Sequence, residues 1–327
     1  MSHQTYSNTG EAPKAKPARL IALGLGVGMG ALVLAVTVFF LPVQWAEAKL
    51  RFRLWQAGAR TVLWEKHRGF TQDRCAGRSP AECACVWLFH GMGDSVTTWK
   101  NVFLDPAAFG EIPVRLYAID LPGHGGSIRR HDLAEYRVSN LARELDAEIA
   151  RIPACAKNIL IGNSFGGWIA ARMALASPKH YSRLILIGAG GLRSAESAAK
   201  DLFKDSTVES LKEFQRRAYF KPRELSEKEW ASAAERMKSG NTEEVRDAQV
   251  DADRLDADLG KIHVGTFLIW GAADRVVPRE VMEQYARGLP QSRSVVLPEC
   301  GHLPQKECPA KLFPELQRAI MERFPGE

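Results

Sequence analysis

The 327-residue sequence lacks several features that define common classes of protein. It has no internal repeat, and its ordinary shares of hydrophobic (46%) and charged (25%) residues exclude a disordered, collagenous or low-complexity chain. No cysteine has zinc-site spacing with companion histidines, so no metal is expected, and nothing indicates a required cofactor. Residues 61–327 carry almost no net charge, which excludes nucleic acid as an expected partner.

The excess positive charge lies in residues 1–60, which contribute +5 of the formal net charge of +6. It flanks residues 20–41, a run without any charged side chain. A helix of that length measures about 33 Å, and the hydrocarbon core of a bilayer is about 30 Å thick. We therefore predict an N-terminal tail over residues 1–19 and a single transmembrane anchor over residues 20–41. A cleavable signal peptide is the alternative, because Ala46-Glu47-Ala48 has the pattern of a cleavage site.

Glycines spaced four residues apart lie inside the predicted anchor, as the pairs Gly24/Gly28 and Gly26/Gly30. Such a stripe lets another helix approach closely, so a homodimer through this face is one interpretation. The other is that glycine is simply common in membrane spans. After the anchor, aromatic and basic side chains alternate, and residues 42–60 are predicted to form a juxtamembrane helix or linker.

The cysteines indicate the compartment of the globular part. Their even number behind an export-type N-terminus favours disulfides, whose pairing the sequence leaves open. The alternative is a cytosolic protein with buried thiols. Positive charges before and after the anchor nearly balance, so the cysteines decide the orientation, and we predict a non-cytoplasmic (periplasmic or extracellular) globular part. The six are Cys75, Cys83, Cys85, Cys155, Cys300 and Cys308.

Short apolar runs alternate with amphipathic stretches in the rest of the chain. The runs lack polar alternation, which predicts strands buried on both faces of a mostly parallel sheet flanked by helices, an α/β architecture. The predicted strands are Val86–His90, Val114–Ile119, Asn158–Ile161, Arg183–Ile187, Thr266–Trp270 and Ser294–Leu297, and the predicted helices are Leu133–Arg151, Trp168–Ala176 and Glu280–Gly288. Residues 192–262 contain helix formers and no good strand, so we predict a helical cap inserted between core segments 61–191 and 263–327.

The segment from Gly162 to Gly166 predicts a nucleophilic serine. Its G-x-S-x-G pattern follows an apolar strand and opens a helix, so the turn exposes the Ser164 hydroxyl at the carboxyl edge of the sheet. Such a nucleophile elbow is too tight for bulky residues on either side of the serine. Gly162 and Gly166 meet that requirement.

A serine hydroxyl needs a base and an orienting carboxylate before it becomes an effective nucleophile. His302 follows the last predicted strand, Asp274 follows the one before it, and the order Ser, Asp, His is the one expected with a nucleophile elbow. We therefore predict Ser164, Asp274 and His302 as catalytic residues. The backbone N–H groups of Phe165, next to the serine, and Met92, after the first predicted strand, are predicted to hold the oxyanion.

Two further polar groups have structural interpretations. Asp120 and His124 follow a strand and are predicted to stabilise a loop, the alternative being a second catalytic dyad. The acidic run 251–258 lacks the glycine and the terminal glutamate of a calcium-binding loop, so we predict a solvent-exposed acidic face.

Five motifs together resemble the α/β-hydrolase family, and they occur in that family's order over about residues 60–327. They are HGMGDS at His90–Ser95, DLPGHGGS at Asp120–Ser127, GNSFGG around Asn163, WGAADRVVP at Trp270–Pro278 and ECGH at Glu299–His302. The resemblance implies an eight-stranded sheet in the order 1-2-4-3-5-6-7-8. On that order it also implies a disulfide from Cys155 to either Cys83 or Cys85.

Within the family, the anchor and the cap resemble membrane-anchored monoacylglycerol lipases and bacterial membrane-bound phospholipases A. That resemblance implies a serine hydrolase acting on lipid acyl esters: monoacylglycerol, lysophospholipid or phospholipid. The motifs also resemble carbon–carbon bond hydrolases of aromatic ring cleavage, which usually carry Trp after the catalytic His, where this chain has Leu303. The alternatives are therefore a C–C or amide hydrolase, a small-ester carboxylesterase, and a non-catalytic module that kept the fold.

Overall fold

The computed structural model describes residues 42–64, 66–75, 77–152, 155–199, 202 and 205–325. The predicted tail, the predicted anchor and its glycine pairs lie outside these residues. Within the described part, no helix combines the length and the apolar character needed to cross a membrane. The chain divides into two compact units, with residues up to 51 in the first and residues from 52 onward in the second.

Helix α1 (Pro42–Gln56) is the first described element, within the stretch predicted to be a juxtamembrane helix or linker. Glu47 and Arg51 pair one turn apart on its exposed surface, with 2.7 Å between Oε1 and Nη2. Toward the end of the helix, Leu54 is buried, whereas Phe52 and Trp55 are each 56% exposed. The second unit therefore begins with a helical segment that packs one side chain and leaves two aromatic rings in solvent.

An eight-stranded sheet forms the centre of the second unit. Its strands are β1 (Arg60–Leu63), β2 (Arg68–Arg74), β3 (Ala84–Phe89), β4 (Val114–Ile119), β5 (Lys157–Asn163), β6 (Arg183–Ile187), β7 (Thr266–Gly271) and β8 (Ser292–Leu297). Their spatial order is β1-β2-β4-β3-β5-β6-β7-β8. β2 is antiparallel to β1 and β4, and the other neighbours are parallel. The predicted class and the implied strand order are confirmed.

Strand β1, at one edge of the sheet, and strand β2, between β1 and β4, were not predicted. Most of β1 is exposed, and β2 carries polar and charged side chains, so neither is a continuous apolar run. Strands β3, β6 and β7, by contrast, are buried at every position. Burial on both faces accounts for the unbroken apolar segments that predicted these three strands.

Helices cover the faces of the sheet. They are α2 (Lys100–Leu104), α3 (Val138–Ile149), α4 (Phe165–Ala176), α9 (Arg279–Gly288), α10 (Pro304–Glu307) and α11 (Pro309–Met321). The single helix predicted over Leu133–Arg151 is divided, because Leu133–Tyr136 forms a separate 3-10 turn. Arg137 interrupts the helical backbone there, with a ψ of 139°.

Between β6 and β7 the described residues form helices and 3-10 turns, without a strand. The helices are α5 (Arg193–Ala199), α6 (Val208–Ala218), α7 (Glu227–Ser239) and α8 (Thr242–Asp247). Helix α7 begins with a capping box, in which the Ser226 and Glu229 side chains each accept the other residue's backbone N–H. This helical content agrees with a cap over residues 192–262, whose boundaries stay a prediction.

The acidic run 251–258 is not the uniformly solvent-exposed face that we predicted. Asp251 and Asp256 are exposed, but Asp253 is buried. Its Oδ2 accepts hydrogen bonds from the backbone N–H (3.0 Å) and hydroxyl (3.1 Å) of Ser139, in the first turn of α3. Its carbonyl accepts from the Trp168 indole at 2.8 Å. Asp253 therefore ties the segment before β7 to two helices of the core.

All six cysteines are joined in disulfides, Cys75–Cys83, Cys85–Cys155 and Cys300–Cys308. Of the two pairings that the family resemblance implied, Cys85–Cys155 is present, with 5.7 Å between the Cα atoms. Strands β3 and β5 are neighbours, and Cys85 lies opposite Asn158, close to Cys155 in the chain. The other pairing is excluded because Cys83 is joined to Cys75.

Candidate active site

Ser164 occupies the junction between β5 and α4 in an unusual backbone conformation, with φ 53° and ψ −117°. Non-glycine residues rarely adopt positive φ, and such strain persists only where the surroundings impose it. Main-chain hydrogen bonds impose it here. The Ser164 N–H donates to the Ile187 carbonyl at 3.0 Å, and its own carbonyl accepts from Gly167, Trp168 and Gly190. The serine is thus fixed at the carboxyl edge of the sheet.

The two glycines predicted to form the elbow occupy positions that admit no side chain. A Cβ atom on Gly162 would lie 2.3 Å from the Gly166 carbonyl oxygen. A Cβ atom on Gly166 would lie 2.4 Å from the Phe89 carbonyl oxygen. Both distances are far inside van der Waals contact with backbone atoms that cannot rotate away. The tight turn around Ser164 therefore depends on glycine on both sides.

His302 and Asp274, the predicted base and orienting acid, lie side by side. His302 Nδ1 is 2.8 Å from Asp274 Oδ2, and both residues are buried. The other oxygen of Asp274 accepts from the N–H groups of Val276 and Val277, each at 2.9 Å. These bonds fix the carboxylate, which in turn fixes the imidazole. Since Nδ1 faces Asp274, Nε2 is the ring nitrogen left for Ser164, which lines the same cavity as His302.

The loop that carries His302 is fastened at several points. The His302 N–H donates to the carbonyl of Ala218, the last residue of α6, at 2.7 Å. The Gly301 N–H donates to Glu307 Oε2, also at 2.7 Å. The disulfide from Cys300 to Cys308 closes a short loop around the histidine. The imidazole position thus rests on the predicted cap and on the start of the C-terminal helices.

The N–H groups of Met92 and Phe165 donate to no acceptor among the described residues. Phe165 is the first residue of α4, where N–H groups have no partner within the helix. Met92 lies in the loop after β3, which His90 braces: Nε2 accepts from Leu121 N–H at 2.9 Å, and Nδ1 lies 2.8 Å from the Gly91 carbonyl oxygen. Burial lowers the pKa of His90, which favours the neutral ring that this bonding requires. The oxyanion role of the two N–H groups stays a prediction.

Asp120 and His124 support the same loop, in agreement with the structural interpretation of these residues. His124 Nε2 accepts from the Gly93 N–H at 2.9 Å, and burial lowers the pKa of His124 to about 4. The Asp120 carboxylate accepts from the N–H groups of Val96 and Gly126, each at 2.8 Å. Burial raises the pKa of Asp120. Neither residue contacts Asp274 or lines the cavity at the nucleophile.

A cavity of about 120 Å³ lies beside Ser164 and His302. One part of its lining is apolar and includes side chains from α6 and α7, and another part is polar. The apolar residues are Met92, Leu211, Phe214, Met237 and Leu303, and the polar ones include Asp94, Asp205, Ser210, Tyr219 and Lys306. The segment predicted as a cap therefore contributes an apolar surface next to the serine.

An ion pair that the sequence analysis missed borders this cavity. Lys306 Nζ lies 2.6 Å from Asp94 Oδ2, with side chains 29% and 16% exposed. Burial is the largest single influence, and it lowers the pKa of Lys306 and raises the pKa of Asp94. The attraction and hydrogen bonding within the pair, together with smaller effects of Tyr219 on Lys306 and of His90 and Ser95 on Asp94, outweigh burial. The pKa of Lys306 is raised and that of Asp94 is lowered, so both are charged near neutral pH. The signal available in the sequence was position: Asp94 lies two residues after Met92, and Lys306 lies four residues after His302.

One group among the described residues has the composition of a metal site: His67, Glu144 and Glu148. His67 Nε2 lies 2.9 Å from Glu144 Oε1 and 3.7 Å from Glu148 Oε1. The protein's own cations already surround it, because Glu144 pairs with both Arg130 and Lys66. Burial would raise the pKa of Glu144, but His67 and these cations lower it to about 2. None of the three lines the cavity at the nucleophile.

The fold and the site together define a class of enzyme scaffold, in which a parallel sheet presents a serine at a strand–helix turn beside a His–Asp pair. Residues 86–315 match the Alpha/beta hydrolase family, and the chain belongs to that family. The match spans β3 to α11, and therefore includes Ser164, Asp274 and His302.

Two curated relatives illustrate the sequence similarity. The 2-hydroxy-6-oxononadienedioate/2-hydroxy-6-oxononatrienedioate hydrolase of Paraburkholderia phymatum is 26% identical over 241 residues, covering 67% of this chain and 81% of the relative. The 2-hydroxy-6-oxo-6-phenylhexa-2,4-dienoate hydrolase of Comamonas testosteroni is 27% identical over 248 residues, covering 69% and 84%.

Solved structures extend the similarity in fold. The crystal structure of a bacterial membrane phospholipase A matches with a TM-score of 0.74 at 23% identity, covering 92% of this chain and 98% of that chain. A lipase structure from Acinetobacter baumannii AYE matches with a TM-score of 0.67 at 21% identity, covering 85% and 97%. The resemblance to bacterial phospholipases is thus confirmed in the fold.

Proposed function

We propose that this α/β hydrolase is a membrane-anchored serine hydrolase that cleaves carboxylic esters, with lipid acyl esters as its substrates. One observation carries the proposal: Ser164, on a strained turn, lines the same cavity as His302, whose Nδ1 lies 2.8 Å from Asp274. Monoacylglycerol, lysophospholipid and phospholipid are the lipids considered. No cofactor takes part in the proposed reaction.

In the proposed reaction, His302 Nε2 takes the proton of the Ser164 hydroxyl as its oxygen attacks the acyl carbonyl. The N–H groups of Phe165 and Met92 hold the resulting oxyanion. The imidazolium, stabilised by Asp274, then gives its proton to the leaving alcohol, and the acyl group stays on the serine. A water molecule deprotonated by the same imidazole attacks the acyl-enzyme, which releases the fatty acid and restores the serine hydroxyl.

Two observations support a lipid acyl chain as the bound group. Helices α6 and α7 contribute Leu211, Phe214 and Met237 to the apolar lining of the cavity. Apolar surface of this kind favours an alkyl chain over a polar acyl group. The membrane phospholipase A structure also covers more of this chain than the Acinetobacter baumannii lipase structure does.

We further propose that residues 20–41 anchor the enzyme and that its catalytic part lies on the non-cytoplasmic side of the membrane. The three disulfides support an oxidising compartment. An enzyme held at a bilayer meets lipid substrates at high local concentration. A homodimer through Gly24/Gly28 or Gly26/Gly30 is part of this proposal. Replacing these glycines with leucine and measuring the mass of the detergent-solubilised protein tests it.

The curated relatives favour a second candidate, hydrolysis of a carbon–carbon bond in a ring-cleavage diketone. Substrates of those relatives, as their names state, are carboxylates. The ammonium group at the cavity of this chain, Lys306, is already neutralised by Asp94, which disfavours a carboxylate there. Leu303 also stands where the resemblance to those hydrolases implies a tryptophan.

Hydrolysis of a substrate panel by the detergent-purified full chain tests the proposal, with fatty-acid release as the readout for the lipids and loss of substrate for the diketone. The panel contains monoacylglycerol, lysophospholipid, diacyl phospholipid, a short-chain ester and a ring-cleavage diketone, with Ser164→Ala as the control. We expect release from a long-chain lipid, slowed at least ~10³-fold by the substitution. Cleavage of the short ester alone would contradict the lipid assignment. Faster turnover of the diketone than of any ester would favour the second candidate.

A further inference from the structure

Lys306 and Asp94 form an ion pair in the lining of the cavity beside Ser164, which Tyr219 also lines. Lys306 lies in α10, four residues after His302, and Asp94 belongs to the loop of Met92. In the proposed ester hydrolysis, the leaving alcohol must lie against the base, because His302 protonates it. The ion pair and His302 line the same cavity, so the pair can meet the departing alcohol there.

The ion pair keeps unused capacity for hydrogen bonds. An ammonium group has three N–H donors, and the 2.6 Å contact with Asp94 occupies one of those of Lys306. No other side chain or carbonyl accepts from Lys306 Nζ within the described part of the chain. The Asp94 carboxylate accepts from Ser95 N–H at 2.9 Å and has lone pairs left over. The pair can thus both donate to and accept from a bound group.

Asp205 and Ser210, two other polar residues of the cavity, already make hydrogen bonds. Asp205 accepts from the hydroxyl of Ser210 and from that of Thr207, the latter at 2.6 Å. Besides the Tyr219 hydroxyl, capacity for new hydrogen bonds therefore remains at Lys306 and Asp94. Because their charges cancel, the Asp94–Lys306 pair favours a neutral polar group over a phosphate or carboxylate.

We propose that the Asp94–Lys306 pair binds a free hydroxyl group on the leaving alcohol. Lys306 donates to the hydroxyl oxygen, and Asp94 accepts the hydroxyl proton. The preferred substrates are then esters whose alcohol keeps a free hydroxyl next to the ester, as in monoacylglycerols and lysophospholipids. Alkyl esters and fully acylated glycerolipids lack that group. This inference rests on the proposed ester hydrolysis and narrows its substrate class.

Sites built to bond a substrate hydroxyl discriminate against analogues that lack it. The test compares kcat/KM of the full chain for a monoacylglycerol and for the methyl ester of the same fatty acid in the same micelles. We expect a preference of at least ~10-fold for the monoacylglycerol. In Lys306→Met and Asp94→Asn, monoacylglycerol turnover should fall more than methyl ester turnover, which brings the ratio within about 3-fold. Lys311→Met, which removes the exposed pair with Glu299, is the matched control and should keep the wild-type ratio.

Three outcomes would overturn the inference. Equal rates on both esters in the wild type would show that the hydroxyl is not recognised. Parallel losses on both esters in the two variants would show that the pair only holds the loops in place. A 2-deoxy lysophospholipid hydrolysed as fast as the parent lipid would show that another part of the alcohol is bound. Ser164-dependent turnover in these experiments keeps the proposed ester hydrolysis intact, whereas its absence on every ester would remove that proposal instead.

Discussion

Asn163 donates a hydrogen bond from its side-chain Nδ2 to the main-chain carbonyl of His302, at 3.0 Å. The residue before the nucleophile thereby holds the loop that carries the base. The same nitrogen donates to the Ile187 carbonyl at 2.9 Å, and the amide oxygen accepts from Gln305 at 3.1 Å. Asn163 is fully buried, so one amide group links the serine turn to the histidine loop inside the core.

Asn163→Asp should therefore damage the site although it changes only one atom. A carboxylate cannot donate, and it would face two carbonyl oxygens in a buried setting, an arrangement that costs several kcal/mol. We expect kcat to fall by at least ~10-fold and the melting temperature to drop. Asn158→Asp is the matched control, because Asn158 uses its oxygen to accept from the Trp87 indole at 3.2 Å, which aspartate can also do. Wild-type kcat in Asn163→Asp would contradict this account of the loop.

The elbow glycines should be intolerant of even one methyl group. Gly162→Ala and Gly166→Ala place a Cβ within 2.4 Å of backbone oxygens, so the turn must distort. We expect a loss of about 2–4 kcal/mol of stability, together with loss of turnover. Gly260→Ala is the control, because its Cβ would have no neighbour within 4 Å. Thermal unfolding of the detergent-purified chain measures the stability of each variant. Equal melting temperatures for the three variants would refute the steric argument.

Two disulfides of equal span allow the role of the histidine loop to be isolated. Cys300–Cys308 and Cys75–Cys83 each join residues eight apart in sequence, but only the first encloses His302. Replacing either pair with alanine should lower stability by a similar amount, about 2–3 kcal/mol. Only the Cys300/Cys308 double variant should also lose kcat, by about 10-fold, because the base is then less well positioned. Equal kcat in the two double variants, measured with an ester substrate, would show that this disulfide does not position the base.

Stability should decline in mild acid because of His124. Burial lowers the pKa of His124 from its ordinary value of 6.5 to about 4, so between these values the unfolded chain binds a proton that the folded chain does not. Stability attributable to this group is therefore present above pH 6.5 and falls as the pH decreases toward 4, by up to about 3 kcal/mol. His124→Gln keeps an acceptor for the Gly93 N–H and does not titrate. Its melting temperature should fall less steeply between about pH 7 and pH 4, and parallel curves for the two proteins would contradict the assignment.

The parts of the fold and site that the sequence predicted are those encoded locally. A glycine-flanked serine after an apolar strand identifies Ser164 without any other part of the chain. Asp274 and His302 follow the next-to-last and last predicted strands, so parallel strands ending at one edge bring them together. Six of the eight strands were visible because each contains an apolar run, including the partly buried edge strand β8, whereas β1 and β2 lack such a run.

What the sequence could not predict depends on contacts between distant segments. Asn163 and His302 are 139 residues apart, and nothing near either one indicates their hydrogen bond. The Asp94–Lys306 pair likewise joins the loop after β3 to helix α10, which meet only in the folded chain. Asp253 was misinterpreted because an acidic run is normally solvated, whereas here one member is buried against Ser139. The family resemblance supplied the strand order, which composition and periodicity leave open.

The most direct test of the central claim is to locate the residue that reacts with an active-site-directed fluorophosphonate, by mass spectrometry of the digested full chain. The account predicts one adduct, on the peptide that contains Ser164, formed at least ~10²-fold more slowly in His302→Ala because the hydroxyl then lacks its base. Glu283→Gln, at an exposed ion pair with Arg279, should react like the wild type. An adduct on any other residue, or unchanged labelling in Ser164→Ala, would contradict the account.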